Sequence, residues 1–267
     1  MYKYKGVLVH QSHDEDGIVE VIEHKGVRSL HLGTQHRQSS MLVAEPQRLH
    51  LAYIRAMMGC LLFKETIDET LLVGLGGGSI AKYLLHHFSG CRIKALERSR
   101  NVVKIARSFF GLPLDPRLKI IIDDGGHYIC QRIEEMRGQY GVLFVDAFDQ
   151  DGISTSVNNE AFFDACKMLL RDNGLLVINL WGTDKALFEQ YAWYLGRVFN
   201  WRILFLPVRG KGNIIGFAFA DGVKKKTFAE LKTRAAALER QLQIEFPVFV
   251  TDIRKHNPSV IRNVIKI

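Results

Sequence analysis

Three acids in this chain each stand directly behind a short apolar run. Glu97 follows residues 93–96, Asp124 closes the stretch after 118–122, and Asp146 follows 142–145. A fourth apolar run, residues 71–73, is followed by Gly74-Leu75-Gly76-Gly77-Gly78-Ser79. Carboxylates accept hydrogen bonds from hydroxyls and amines, and they take up protons. Glycines let a backbone turn tightly and come close to a ligand. A single Asp behind a strand is usually a helix cap or a turn former. Several such groups, each behind its own strand, are a different matter. In an open parallel sheet the C-terminal strand ends line one crevice, so these residues predict a shared site.

The elements that must position them follow from the pattern. Residues 70–98 read as strand, glycine turn, helix, strand and acid, with Ile80, Tyr83, Leu84 and His87 on one helix face. The helix start points free N–H groups at whatever the turn holds. Glu97, at the tip of the second strand, is placed to take two ribose hydroxyls. A dinucleotide fingerprint requires Gly or Ala where this chain has Ser79. Gly74-x-Gly76-x-Gly78 looks instead like the nucleoside turn of the S-adenosylmethionine type. The expected fold is therefore α/β, a Rossmann-like S-adenosylmethionine-dependent methyltransferase-type fold. Strands at residues 71–74, 93–96, 118–122, 142–145 and 175–180 should form one parallel sheet. Residues 202–208 and 214–220 should close one edge antiparallel.

Ahead of this unit, residues 1–45 read as a small β-domain with hairpin turns, and 46–267 as the nucleoside-binding domain. Ser12 to Glu23 loosely resembles a calcium loop, but Ser opens it and the flanks are strand-like, so a hairpin turn is expected. Pro46 opens a predicted helix with Leu49, Ala52, Tyr53, Ala56, Met57, Cys60 and Leu61 on its apolar face. The four cysteines are scattered without Cys-x-x-Cys, which suggests core residues in a reducing compartment and no metal set. No run is long enough to span a membrane and no signal-peptide core is visible, so a cytoplasmic protein is expected. The net charge of +8 would suit an anionic partner. No basic stripe interleaved with aromatics accompanies it, so nucleic acid is not the expected partner.

Taken together, these features resemble the spermidine synthase (polyamine aminopropyltransferase) family over about Val7 to Asp221. The markers are the β-hairpin start, Gln38, the Tyr53 helix, Gly-Leu-Gly-Gly-Gly-Ser, Glu97, Asp124-Gly125 and Asp146-x-x-Asp149. The resemblance implies transfer of an aminopropyl group from decarboxylated S-adenosylmethionine, a co-substrate rather than a resident cofactor, to an amine. It implies that Gly74, Gly76 and Gly78 hold the nucleoside's sulfur end, that Gln38 approaches it, and that Asp124 accepts from the adenine amino group. Asp146 matches the carboxylate that takes the amine proton. Tyr53 and Asp149 match acceptor-binding positions. A homodimer or homotetramer is also implied.

The departures from the family pattern fall on the amine side. Where the family has Gly-Gly-Gly-Asp, this chain has Ser79 in the last place, and Tyr-His-Glu has become Tyr53-Ile54-Arg55. A late Tyr-Pro-Ser-Gly-like stretch is replaced by Val208-Arg209-Gly210-Lys211-Gly212. Cation opposed to cation is penalised, most of all in a dry cleft. Three functions thus fit the sequence: an aminopropyltransferase with an unusual acceptor, a methyltransferase using intact S-adenosylmethionine, or a non-catalytic nucleoside-binding relative. In the second, Ser79, Arg55 or Lys211 would meet the donor's carboxylate. Retention of Asp146 and Asp149 weighs against the third.

Overall fold

The computed structural model describes residues 5–14, 17–147 and 155–266. The chain opens with four antiparallel strands in sequential order: β1 Val7–Asp14, β2 Gly17–His24, β3 Val27–Leu32 and β4 Ser39–Leu42. β1 and β2 pair from Val7↔Glu23 to Asp14↔Gly17, so the stretch that resembles a calcium loop is a hairpin. Helix α1, Ala52–Met57, continues as a 3-10 turn over Met58–Leu62. The helix thus begins at Ala52 rather than at Pro46. Residues 46–51 run as turn and coil, and no side chain caps the helix start.

From there strands and helices alternate. The elements are β5 Glu69–Val73, α2 Ser79–His87, β6 Arg92–Glu97, α3 Arg100–Phe109, β7 Leu118–Ile122, α4 Gly125–Gln131, α5 Ile133–Met136, β8 Tyr140–Val145, α6 Glu160–Leu169, β9 Leu170–Trp181 and α7 Lys185–Val198. The hairpin β10 Ile203–Pro207 and β11 Asn213–Phe219 follows. Side chains set several of the helix starts: Ser99, Asp124, Asn159 and Asp184 each accept a backbone N–H as N-caps. The chain ends in α8 Phe228–Leu242, α9 Phe246–His256 and α10 Ile261–Val264.

The large sheet runs β10-β11-β9-β8-β5-β6-β7. β5, β6, β7, β8 and β9 are parallel; β11 pairs antiparallel with both β9 and β10. The hairpin closes one edge, as expected, with β11 inside and β10 outermost. Alternate residues feed opposite faces. Leu72, Phe144, Val177 and Phe217 join the layer made with α1, α2, α8 and α9. Leu71, Val73, Leu143, Val145 and Ile178 join that of α4, α6 and α7. The order reverses between β5 and β8, which are neighbours. A cleft opens at such a switch point, outside the carboxyl ends of the strands.

The small sheet finds cover within the chain. Val19, Val21, Leu30 and Met41 pack with Val102, Ile105 and Phe110 of the α3 region. Its outer strand β1 leaves Val7 70% exposed, with Leu8 and Val9 also exposed. Among the described residues no helix is long and apolar enough to cross a membrane. Cys60, Cys91 and Cys166 are buried free thiols, and Cys130 is exposed.

Candidate active site

The cleft at the switch point measures about 1320 Å³. Gln38, Tyr53, Gly74, Gly76, Glu97, Asp124 and Asp146 all line it. Gly78 does not. It is the left-handed N-cap of α2, at φ 72°, and a Cβ there would meet Leu112 Cδ1 at 2.6 Å. Asp149 lies outside the described residues.

The glycine turn is closely confined. Gly74, at φ 89°, leaves no room for a side chain: a Cβ would lie 2.2 Å from the Asp146 carbonyl oxygen. The Asp146 N–H in turn donates to the Val73 carbonyl at 2.8 Å. The turn after β5 and the acid after β8 are thus in backbone contact. Gly77 matters as well, since a Cβ there would meet Ser39 Oγ at 2.7 Å. The start of β4 therefore backs the turn, a contact invisible in sequence because it joins two distant elements.

Each acid has local partners. One Glu97 oxygen accepts the N–H groups of Leu75 at 3.0 Å and Gly76 at 3.2 Å, and the other takes Ser99 N–H at 3.0 Å. The acid thus shapes the glycine turn from beneath. Asp124 caps α4 through His127 N–H and accepts from the Ser156 hydroxyl, each at 2.9 Å. The capping role of strand-end Asp residues is realised here, in a residue that still faces the cleft.

Asp146 is half-buried. Its two oxygens are gripped from opposite sides. The Tyr53 hydroxyl donates to Oδ2 at 3.1 Å, and the Asn179 amide donates to Oδ1 at 2.9 Å. Burial pushes its carboxyl above the usual carboxylate range, and the two hydrogen bonds pull in the opposite direction. The Tyr53 phenol is driven well above its ordinary value, first by burial and then by the neighbouring carboxylate. A carboxylate offers roughly four lone-pair directions, so one face remains for a ligand.

Two of the predicted cations behave differently from one another. Arg55 does not line the cleft. Its guanidinium turns away to Glu245 at 3.1 Å and to the His50 carbonyl at 2.9 Å. Lys211 does line the cleft, carried on the β10–β11 turn, and Ser79 joins it at the start of α2. The same turn is fixed by Arg209, whose two N–H groups grip buried Asp252 at 2.7 and 2.8 Å. Asn179 and Asn213, both cleft-lining, are site residues that sequence reasoning missed. Each sits in an apolar strand, and no local pattern marks it.

Renumbered within the parallel sheet, the strand order is three, two, one, four, five, seven, six, with the seventh antiparallel. That order, with a glycine turn and strand-end acids at its switch point, defines a Rossmann-like nucleoside-binding fold of the S-adenosylmethionine-dependent transferase class. The family model described as the spermine/spermidine synthase domain matches residues 50–193. The chain is 35% identical over 243 residues to a polyamine aminopropyltransferase of Neisseria meningitidis, covering 90% of each protein. It belongs to the spermine/spermidine synthase family. Among solved structures, a probable spermidine synthase from Corynebacterium glutamicum superposes with a TM-score of 0.73 at 20% identity, covering 88% of this chain and 87% of that one. Human methyltransferase-like protein 13, in complex with SAH, does so with a TM-score of 0.63 at 28% identity, covering 72% and 89%.

Proposed function

We propose that this protein transfers the aminopropyl group of decarboxylated S-adenosylmethionine to an amine acceptor, with Asp146 as the base. The observation that carries this reading is the setting of Asp146. It is half-buried, held on both oxygens, and in backbone contact with the glycine turn. The turn receives the nucleoside's sulfur end, Glu97 takes the ribose hydroxyls, Asp124 the adenine amino group, and Gln38 closes over the nucleoside. Tyr53 borders the acceptor, and Asp149 binds it by the family resemblance alone.

The chemistry asks little more of the protein. A sulfonium is a good leaving group, so orientation of two reactants in line is the main task. The neutral amine attacks the aminopropyl carbon, the carbon–sulfur bond breaks, and methylthioadenosine departs with the electron pair. The proton released from the nitrogen passes to Asp146. Residues 1–45 serve as an oligomerisation domain and 46–267 as the catalytic domain of a cytoplasmic homodimer or homotetramer. The exposed outer strand of the small sheet supports that assignment.

A second reading rests on Ser79. The family's aspartate at this position holds the donor's ammonium, and a serine in its place, in a cleft that Lys211 also lines, would tolerate the carboxylate of intact S-adenosylmethionine. The likeness to human methyltransferase-like protein 13 supports that reading. One experiment separates the two. Both sulfonium donors are offered with a panel of diamines and other amines, and methylthioadenosine and S-adenosylhomocysteine are quantified. Methylthioadenosine release that depends on an amine is expected. Absence of turnover with the decarboxylated donor across the panel ends the aminopropyltransferase reading.

A further inference from the structure

Asp146 is held by more than its immediate neighbours. Asn179 sits two residues before the end of β9. Strand alternation puts it on the same face as Leu175 and Val177, the face covered by α1. It therefore confronts Tyr53 across the cleft, with Asp146 between them. Asn179 is 3% exposed, and an amide buried this far costs free energy unless both of its ends are satisfied. Both ends are. Its nitrogen donates to Asp146 Oδ1, and its oxygen accepts from Asn213 Nδ2 at 3.0 Å. In the ladder Asn179 lies opposite Ile215, which makes Asn213 its diagonal neighbour on the same face. The Asn213–Asn179–Asp146 chain thus crosses three adjacent strands, β11, β9 and β8.

The direction of the chain is fixed by its members. Asp146 can only accept when ionised, so Asn179 must present its nitrogen there and its oxygen to Asn213. Asn213 in turn can only donate. The amide cannot rotate without losing both bonds. We infer that Asn179, locked by Asn213, is a positioning residue that holds the Asp146 carboxylate ionised and aimed at the reacting amine; this rests on Asp146 being the base. Tyr53 does the corresponding work on the other oxygen from α1. Among the described residues, the other charged groups facing the same space are Arg37 ahead of β4, Glu97, Arg98 and Asp124 at their strand ends, Asp184 ahead of α7, and Lys211 on the β10–β11 turn, with titratable His36 and Tyr191 beside them. None of these makes a hydrogen bond to Asp146 among those described, so the amide is the polar contact that the sheet itself supplies.

The test is a titration of Asp146 by carboxyl ¹³C NMR in full-length protein, paired with the pH profile of kcat/KM for decarboxylated S-adenosylmethionine and the amine of the panel that is turned over fastest. Removing one hydrogen bond to a charged group should raise the Asp146 pKa by about one to two pH units in Asn179→Ala. The acidic limb of the rate profile should move with it. Asn213→Ala, one step removed, should move both in the same direction by less. A purely structural asparagine would instead lower the rate by the same factor at every pH and leave the titration where it was; that outcome overturns the inference. If Asn179→Ala does not fold, Asn213→Ala decides by the same criterion. Full turnover by Asp146→Asn would refute the base, and this role with it. An Asp146 that is essential, yet titrates the same without Asn179, would refute the positioning alone.

Discussion

Asp146→Asn tests the proposed base with the least disturbance to its surroundings. Asparagine has nearly the same shape and keeps one acceptor oxygen, which can still receive the Asn179 amide. Its new NH₂ faces the Tyr53 hydroxyl, which can accept as well as donate, so that hydrogen bond reverses rather than disappears. What is lost is the base. Removal of a positioned general base costs roughly 10²–10⁴ in rate, or about 3–5 kcal/mol on the barrier. The stability effect has the opposite tendency. Burial raises the folded pKa of Asp146 above its unfolded value, so the native state binds this proton more tightly than the unfolded chain. The stability this group contributes is present below the unfolded pKa and is lost as pH rises through the folded one. At neutral pH the wild type carries that cost and the variant does not. The melting temperature of Asp146→Asn relative to wild type should therefore rise as pH goes from about 4 to 7. Methylthioadenosine production from decarboxylated S-adenosylmethionine measures the first effect and scanning calorimetry the second. Wild-type turnover refutes the base. An activity loss that simply tracks a lowered melting temperature would reduce Asp146 to a structural cap.

Glu97→Ala should weaken methylthioadenosine binding at least tenfold by calorimetry, since a hydrogen bond to a carboxylate is worth about 1.5–3 kcal/mol. An unchanged dissociation constant removes its ribose role. Gly74→Ala should destabilise the protein by more than about 2 kcal/mol in urea, because a left-handed backbone alone costs about 1–2 kcal/mol for an L residue and the new methyl strikes the Asp146 carbonyl. A milder effect would mean that the turn and the base are not in rigid contact. Lys82 is buried with neutral partners, the Phe110 carbonyl and Met41 sulfur, and burial lowers its pKa to about 8. Lys82→Met should raise the melting temperature at pH 7, with the gain shrinking as pH climbs past 8 and wild-type Lys82 sheds its proton. A gain independent of pH would show that charge burial is not its source. Light scattering should give at least a dimer; a monomer unaltered by deleting residues 1–40 rules out the assembly proposed for the small sheet.

The glycine turn, the acids behind β6, β7 and β8 and the parallel sheet are legible because each depends on local signals. Glycine spacing, apolar runs and the residue behind a strand survive without knowledge of what lies opposite. The start of α1 was misplaced because apolar spacing from Leu49 continues the helical period across residues 46–51, while no cap fixes the helix before Ala52. Sequence alone places Arg55 as a cation in the acceptor site. Its true partner is Glu245, 190 residues away, and no spacing argument reaches that far. Asn179 and Asn213 were missed for a related reason. In sequence they are single polar residues within apolar strands; their meaning comes from the register of β9 against β11 and β8. The site's chemical groups were readable from local pattern, but the hydrogen bonds that orient them arise from long-range pairing.

The course of the Asn213–Asn179–Asp146 chain bears on how the protein comes to life on synthesis. Asp146 and its glycine turn are complete once β8 has joined β5. Asn213, however, belongs to the strand inserted beside β9 only after α7 and β10 have been made, and the turn ahead of it is tied to α9 through Asp252. Pairings of such wide sequence separation form late, because loop closure must be met before they repay it. A nascent chain can therefore assemble the glycine turn and its strand-end acids well before the amides that hold Asp146 are in place. The C-terminal helices, although they contribute no acid to the cleft among the described residues, thereby govern when the proposed base is fully held.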